Sequence, residues 1–271
     1  MKNLEILVGA DPEVFMKREG KKFFQSAHGE VPGTKDEPFV VDKGAVQVDG
    51  MALEFNIDPA KNREEFVDNL QAVMQQLGAM VPDYELIAQP TATFTKAHMK
   101  KQPPEALDLG CEPDFNAWRN GAVNPRPDGA VNFRTGAGHI HIGWTKDVDI
   151  ADPTHMEACI WVTRQLDYYL GIPSLQFDKD TKRRKLYGKA GAFRPKSYGV
   201  EYRVLSNAWL RSPEMMNWVY DRVDQAIKAM MKGKYAFTRF GDRAQEMIDS
   251  GNSRDVLHYC HYLDIPQAPG V

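Results

Sequence analysis

Four short segments of this chain alternate polar and apolar residues with a period of two, and that alternation constrains the fold more than any other feature. They are Asp11 and Glu13 in Gly9-Ala-Asp-Pro-Glu-Val-Phe15, Glu54 and Asn56 in Leu53-Glu-Phe-Asn-Ile57, His139 and His141 in Gly138-His-Ile-His-Ile-Gly-Trp144, and Glu201 and Arg203 in Val200-Glu-Tyr-Arg-Val-Leu205. Successive side chains of a β-strand point to opposite faces, so each polar pair shares one face. In the last three segments the intervening residue is apolar: Phe55, Ile140 and Tyr202. One sheet can then carry a helix-covered apolar face and a second face lined with carboxylates, imidazoles and an arginine. Taken singly, each pair also fits a solvated strand face; four together do not.

The rest of the chain supplies helices for that apolar face. Phe66, Leu70, Val73, Leu77 and Met80 recur at helical spacing. Asp152-Pro153 opens a second helix with Met156, Ile160, Thr163, Leu166 and Leu170 inward, and Ser212-Pro213 opens a third with Met216, Val219, Val223, Ile227 and Met230 inward. Two shorter helices are expected near 242–250 and 253–263. Residues 45–57 read as a hairpin turning at Asp49-Gly50, a two-residue type I′ signal, with Val48 opposite Met51 and Gln47 opposite Ala52. Val131 to Trp144 reads as strand. Residues 100–130 read as a long loop, and 174–198 as a basic, glycine-containing loop. No glycine-rich phosphate loop of Rossmann or Walker form follows an early strand. The pattern predicts an α+β fold, a mostly antiparallel sheet with helices on one face, in a single catalytic domain over residues 1–271.

Charge narrows the partners. With 34 basic and 37 acidic residues the net charge is −3, so no overall field draws the chain to nucleic acid or to a membrane surface. No apolar run approaches a bilayer span. Cys111, Cys159 and Cys260 are widely spaced, which argues against a disulfide framework and fits a reducing compartment. With no signal pattern at Met1-Lys-Asn-Leu4, a cytoplasmic protein is expected, in the host cytoplasm if phage-encoded.

The polar face has a chemical consequence. Carboxylates gathered on one face repel each other unless cations lie between them. Oxygen ligands select Mg²⁺, or Mn²⁺ where imidazole joins them. On the same argument, removing Glu54 or Glu201 is expected to leave the metal-free protein at least as stable. The segment 179–196 carries eight basic residues and one acidic. Arg183, Arg184, Lys185, Lys189 and Arg194 are candidate phosphate ligands there, with glycines allowing close backbone approach. Carboxylates that hold metal, facing a cationic loop, describe a nucleoside triphosphate site. Glu112 and Asp114 are candidate border residues of a substrate pocket, and Lys35 a loop residue that reaches it. His258, Cys260 and His261 lack a fourth ligand for zinc, and Trp118 and Trp144 read as packing residues.

Several of these motifs together make the chain similar to a known family. Gly9-Ala-Asp-Pro-Glu-Val-Phe15, Gly44-Ala-Val-Gln-Val-Asp-Gly50 with Glu54-Phe-Asn56, Arg134-Thr-Gly-Ala-Gly-His-Ile-His-Ile-Gly-Trp144, Arg183-Arg184 with Tyr187-Gly188, and Tyr198-Gly-Val-Glu-Tyr-Arg203 resemble the phage-associated COOH–NH2 ligase type 2 family. These phiEco32-like amidoligases are a branch of the glutamine synthetase and glutamate–cysteine ligase superfamily. The resemblance implies an antiparallel catalytic sheet and an ATP-dependent ligase that phosphorylates a carboxylate and lets an amine displace the phosphate. It implies Asp11, Glu13, Glu54, His139 and Glu201 as metal ligands, His141 beside His139, and Arg203 as the arginine that neutralises the transferred phosphate. The first pair is Asp-Pro-Glu where the superfamily more often has Glu-x-Glu.

Three other classes share parts of the pattern. A guanidino-type phosphotransferase would stop at phosphoryl transfer. A metal-dependent nuclease or hydrolase would act without ATP, and a non-catalytic binding protein would leave the acidic face without a use. For a ligase, the acid and amine range from amino acids and polyamines to peptides, cell-wall fragments and modified nucleotides.

Overall fold

The structure is a computed structural model and describes residues 5–107, 114–125 and 131–271. Cys111 and Glu112 lie outside the described residues. Along the chain run β1 (Leu7–Lys17), β2 (Phe39–Val41), β3 (Gly44–Asp49), β4 (Ala52–Ile57), α1 (Arg63–Met80), β5 (Glu85–Ile87), β6 (Thr91–Thr93), α2 (Lys96–Met99), α3 (Pro104–Leu107), β7 (Phe115–Asn116), β8 (Ala122–Val123), β9 (Phe133–Thr135) and β10 (Gly138–Gly143). Then come α4 (Pro153–Leu166), α5 (Ile172–Ser174), α6 (Thr181–Leu186), β11 (Ala192–Lys196), β12 (Gly199–Tyr202), α7 (Pro213–Met231), α8 (Ala236–Phe240), α9 (Arg243–Ser250) and α10 (Val256–Tyr262).

Among the described residues, ten strands make one antiparallel sheet in the order β2-β3-β4-β1-β10-β12-β11-β7-β8, with β5 pairing the far end of β1. Strands β6 and β9 form a separate two-stranded ribbon. The α+β expectation holds. Phe55, Ile140 and Tyr202 are wholly buried on the sheet's apolar face, where α1 and α4 pack against it and α7 packs against both helices. Phe66 of α1 stacks on Trp209 at 6.2 Å and meets Tyr220 of α7 at 5.5 Å. The long helices begin at side-chain caps. Asn62 accepts from the Glu65 amide (3.0 Å), Asp152 from His155 (2.9 Å) and Ser212 from Met215 (3.3 Å), each satisfying a donor that a helix N-terminus leaves open.

The structure departs from the sequence reading at five places, one being that the described part of 100–130 contains α3, β7 and β8 rather than loop alone. The β3–β4 hairpin pairs Asp49 with Ala52, Val48 with Leu53 and Gln47 with Glu54, so its turn is Gly50-Met51, one step beyond the expected one. Gly50 alone has positive φ there (60°), the pattern of a type II′ turn. The shift carries Met51 into a second apolar cluster with Phe15, Phe24 and Phe94, where it is 1% exposed. Face assignments survive, because pairing moved by a whole period. The segment 174–198 is not a loop but contains α6 and β11. Val131 to Trp144 splits into β9 and β10, which belong to different sheets. Thr163, Leu166 and Leu170 are buried as expected, but the first turns of α4 bury His155, Cys159 and Val162 and leave Met156 and Ile160 half-buried.

Candidate active site

Register brings the polar residues into a row across the middle of the sheet. Gln47 lies opposite Glu54, Glu54 opposite Glu13, Asp11 opposite His139, His141 opposite Glu201, and Glu201 opposite Arg194. Directly opposed residues share a face, so six neighbouring strands contribute to one polar ladder, with Arg203 two residues beyond Glu201. The contacts follow. His139 Nδ1 is 3.2 Å from Asp11 Oδ1 and 3.4 Å from Glu201 Oε1, and His141 Nε2 is 3.0 Å from Asp11 Oδ1. Arg203 Nη1 donates to Glu201 Oε1 and its Nε lies 3.5 Å from Asp114 Oδ2. The second Glu201 oxygen meets Lys196 Nζ at 2.9 Å and Arg194 Nη1 at 3.5 Å. His141 Nδ1 hydrogen-bonds the Tyr198 hydroxyl.

The ladder has two electrostatic halves. Burial works against charge on both Asp11 and Glu201, yet their neighbours prevail. His141 and His139 hold the Asp11 carboxyl well below the usual range, and Arg203 above all brings Glu201 down to about 2. Burial and then Arg203 lower His139. Burial also opposes the proton on His141, but Asp11 outweighs it and raises that imidazole. On the other side Glu13 and Glu54 face each other, carboxylate opposite carboxylate. Burial and the nearby Asp49 push Glu13 up to about 7 against a 2.8 Å hydrogen bond from the Ala137 amide. Burial and then Asp11 push Glu54 well above its ordinary value, although Gln47 Nε2 donates to it at 2.8 Å.

Asp11, His141 and Glu201 each offer one ligand atom, and the three atoms lie within 4.8 Å of one another. Asp11 Oδ1 and His141 Nε2 are buried and 3.0 Å apart, the ion-pair contact that lowers the one group and raises the other. A carboxylate and an imidazole so paired, with Glu201 beside them, can exchange the imidazole proton for a shared cation. Ligand distances of about 2–2.6 Å accommodate one ion among the three atoms, and two oxygens with one imidazole suit Mg²⁺ or Mn²⁺. A proton on His141 Nδ1, donated to Tyr198, would leave the Nε2 lone pair for an ion. Glu13, Glu54 and His139 border this triad rather than complete it.

The cations of the basic segment have separate fates. Arg194 joins the ladder through Glu201. Arg183 is 1% exposed and donates to the carbonyls of Val204 and Leu205, both at 2.7 Å, tying α6 to the chain just after β12. Its guanidinium fills the space beside Gly188, a residue at φ 71° where any Cβ would collide with it. Arg184 is committed to Asp178, 3.2 Å away, and to the carbonyls of Asp180 and Asp178. Lys185 is exposed, and Lys189 is half-buried beside Asp249. Lys35 pairs with Asp49 at 2.9 Å. Trp118 Nε1 donates to Asp167 at 2.6 Å. His258 and His261 are exposed while Cys260 is buried, so the three do not converge.

Sequence reading missed Lys196, Gln47 and Asp49. The signal was present: Arg194 and Lys196, and Gln47 and Asp49, are further pairs at i and i+2. The first was hidden inside a charge run read as loop, the second inside a turn placed one residue early.

Two clefts flank the ladder. The narrower one is lined by Glu13, Asp49, His139, Arg134, Arg183 and Arg203, among others. The wider, about 810 Å³, is bordered by Asp11, Glu54, His141, Ile57, Trp144 and Tyr198, among others. A carboxylate–imidazole–arginine ladder thus runs between two clefts. Residues 118–239 match the model of the family described as "Phage phiEco32-like COOH.NH2 ligase-type 2". His139, His141, Glu201 and Arg203 fall within the matched stretch, and the family's description is of a carboxylate–amine ligase. Asp11, Glu13 and Glu54 lie outside the matched stretch. No curated protein matches the chain. No helix among the described residues is long and apolar enough to cross a membrane.

Proposed function

We propose that the protein is an ATP-dependent amide-forming ligase working through an acyl phosphate, with Mg²⁺ or Mn²⁺ held by Asp11, His141 and Glu201. The observation that carries this reading is the convergence of those three ligand atoms on a carboxylate that Arg203 also grips. A bound divalent cation would draw charge from phosphate oxygens and align them. Tyr198 orients the His141 ring, and Asp114 and Glu201 orient the Arg203 guanidinium. The wider cleft, with the flat surfaces of Trp144 and Tyr198, suits a nucleoside, and the arginine-lined one suits the acid. The acid's carboxylate oxygen attacks the γ-phosphorus, the bond to the β-phosphate oxygen breaks and ADP leaves. The amine nitrogen then attacks the acyl carbon, the bond to phosphate breaks, and the amine's proton is released. Arg203 donates where negative charge grows in the first step, so Arg203→Ala lowers turnover by about 10²–10³-fold while nucleotide affinity changes far less.

The test incubates the protein with ATP, Mg²⁺ and pooled acids in hydroxylamine, which traps an acyl phosphate as a hydroxamate. Hydroxamate and ADP in equal amounts support the ligase. ADP with a phosphorylated amine and no hydroxamate or amide sinks it in favour of the phosphotransferase. Cleavage of nucleic acid without ATP assigns the same ladder to a nuclease.

A further inference from the structure

Arg222 is a buried charge that the proposed reaction leaves unused. It lies on α7, is 7% exposed, and neither its Nε nor its Nη1 meets an acceptor. Its guanidinium rests over the Trp218 ring, 5.7 Å from the centroid. Three residues on, Gln225 shares that side of the helix. The Gln225 amide nitrogen is engaged, donating to the carbonyls of Leu263 (2.8 Å) and Asp264 (3.3 Å), which leaves its buried Oε1 without a donor. Unpaired buried polar atoms are costly and call for an explanation. Here two donors and an acceptor, without partners among the described residues, stand three residues apart on one helix.

Both residues open into a cleft of about 870 Å³ between α7, the turn into α8, and the C-terminal end of α10. Its walls are pinned. Buried Gln165 donates to the Lys234 carbonyl (3.1 Å) and accepts from the Ala236 amide (2.8 Å), and Gln225 holds the end of α10. The Arg239 guanidinium stacks on Tyr262, 4.1 Å from the ring centroid. Five cations and three carboxylates line the space. Two of the carboxylates are paired, Asp224 with Lys228 (2.6 Å) and Asp221 with Arg63 (3.1 Å). The cleft shares no lining residue with either cleft beside the ladder.

We infer that this cleft is a second binding site, for a carboxylate carrying an N–H one bond from its α-carbon: the C-terminal residue of a peptide, or an N-acyl amino acid. The carboxylate would meet the Arg222 guanidinium and the amide N–H would meet Gln225 Oε1, each side chain turning its buried, unpartnered atoms toward the cleft as the ligand enters. The side chain would lie against Tyr235, Phe240 and Tyr262. Inorganic phosphate matches Arg222 but brings no amide donor, and the modest excess of cations suits a single negative charge. The inference stands apart from the ligase reading.

The test titrates the full-length protein with N-acetylphenylalanine, its carboxamide, its N-methyl analogue and inorganic phosphate, followed calorimetrically. N-acetylphenylalanine is expected to bind, and the carboxamide and N-methyl compounds at least about tenfold more weakly. Arg222→Met should weaken it about 10–100-fold, the range for a hydrogen bond to a charged group. Because that variant removes a buried unpaired charge, its melting temperature should hold or rise, which separates lost binding from misfolding. Equal affinity for the carboxamide, undiminished binding to Arg222→Met, phosphate bound as tightly as the acid, or no binding of the acid would each overturn the inference; the ligand comparisons need no variant.

Discussion

Glu54 and Glu201 are both buried carboxylates on one sheet face, and their neighbours give them opposite characters. Glu54 sits opposite Glu13, and burial and nearby carboxylates, Asp11 foremost, raise its pKa. Glu201 is gripped by Arg203, Lys196 and Arg194. Removing either was expected to relieve repulsion, and the contacts restrict that expectation to Glu54. Glu54→Gln should therefore leave metal-free stability unchanged or higher, since its amide oxygen can still accept from Gln47. Glu201→Gln should lose about 3–5 kcal/mol, because it strands cations in a buried site. Urea unfolding in chelator, for both variants, checks the contrast; equal losses would mean that contacts with neighbouring cations do not set the difference.

At the level of elements, Asp167 ties the sheet's underside together. It begins a five-residue π-helical turn, Asp167–Gly171, that follows α4. Its carboxylate accepts from Trp118 Nε1 (2.6 Å), the Gly191 amide (2.7 Å) and the Tyr202 hydroxyl (2.8 Å). It thus fixes the start of β11 and the face of β12 opposite Glu201 and Arg203. Burial outweighs those three donors and lifts its carboxyl to about 7. An unfolded aspartate titrates near 4. The unfolded chain therefore gives up this proton first, and the group's contribution to stability is full below pH ~4 and lost as pH rises through about 7. Asp167→Asn keeps one carbonyl for Trp118 and Gly191 and offers an N–H to the Tyr202 oxygen. It should flatten the decline in unfolding free energy between pH ~4 and ~7 and be relatively more stable at pH 8. A decline as steep as in the unsubstituted protein would place its origin elsewhere.

Across the whole molecule, the ladder draws on β3, β4, β1, β10, β12 and β11, separated by up to 190 residues from Asp11 to Glu201. Such a site exists only in the folded chain, so a cation bound there stabilises the fold by mass action. At a hundredfold excess over its dissociation constant, Mg²⁺ or Mn²⁺ should add about 2.7 kcal/mol, read as a rise in melting temperature. Asp11→Asn and His141→Ala should abolish the rise, while Arg184→Gln, whose guanidinium serves Asp178 alone among carboxylates, should retain it. A melting temperature indifferent to both ions in the unsubstituted protein would count against the metal.

Local rules determined much of this in advance. Period-two alternation assigned the faces of β4, β10 and β12, because side-chain direction along a strand needs no partner to define it. Asp152-Pro153 and Ser212-Pro213 sit at the starts of their helices because capping is an exchange between residues two or three apart. What the chain alone could not decide was long-range. The hairpin turns at Gly50-Met51 since burying Met51 beside Phe15 and Phe94 is a tertiary gain that a dipeptide turn preference does not contain. A run of eight cations looks uniform in sequence. Folding divides it by depth, sending Arg183 to backbone carbonyls, Arg184 to Asp178, and Arg194 and Lys196 to Glu201, because a buried guanidinium must take whichever acceptors surround it. Strand order, which no local pattern encodes, then set Glu201 among cations and Glu54 among carboxylates.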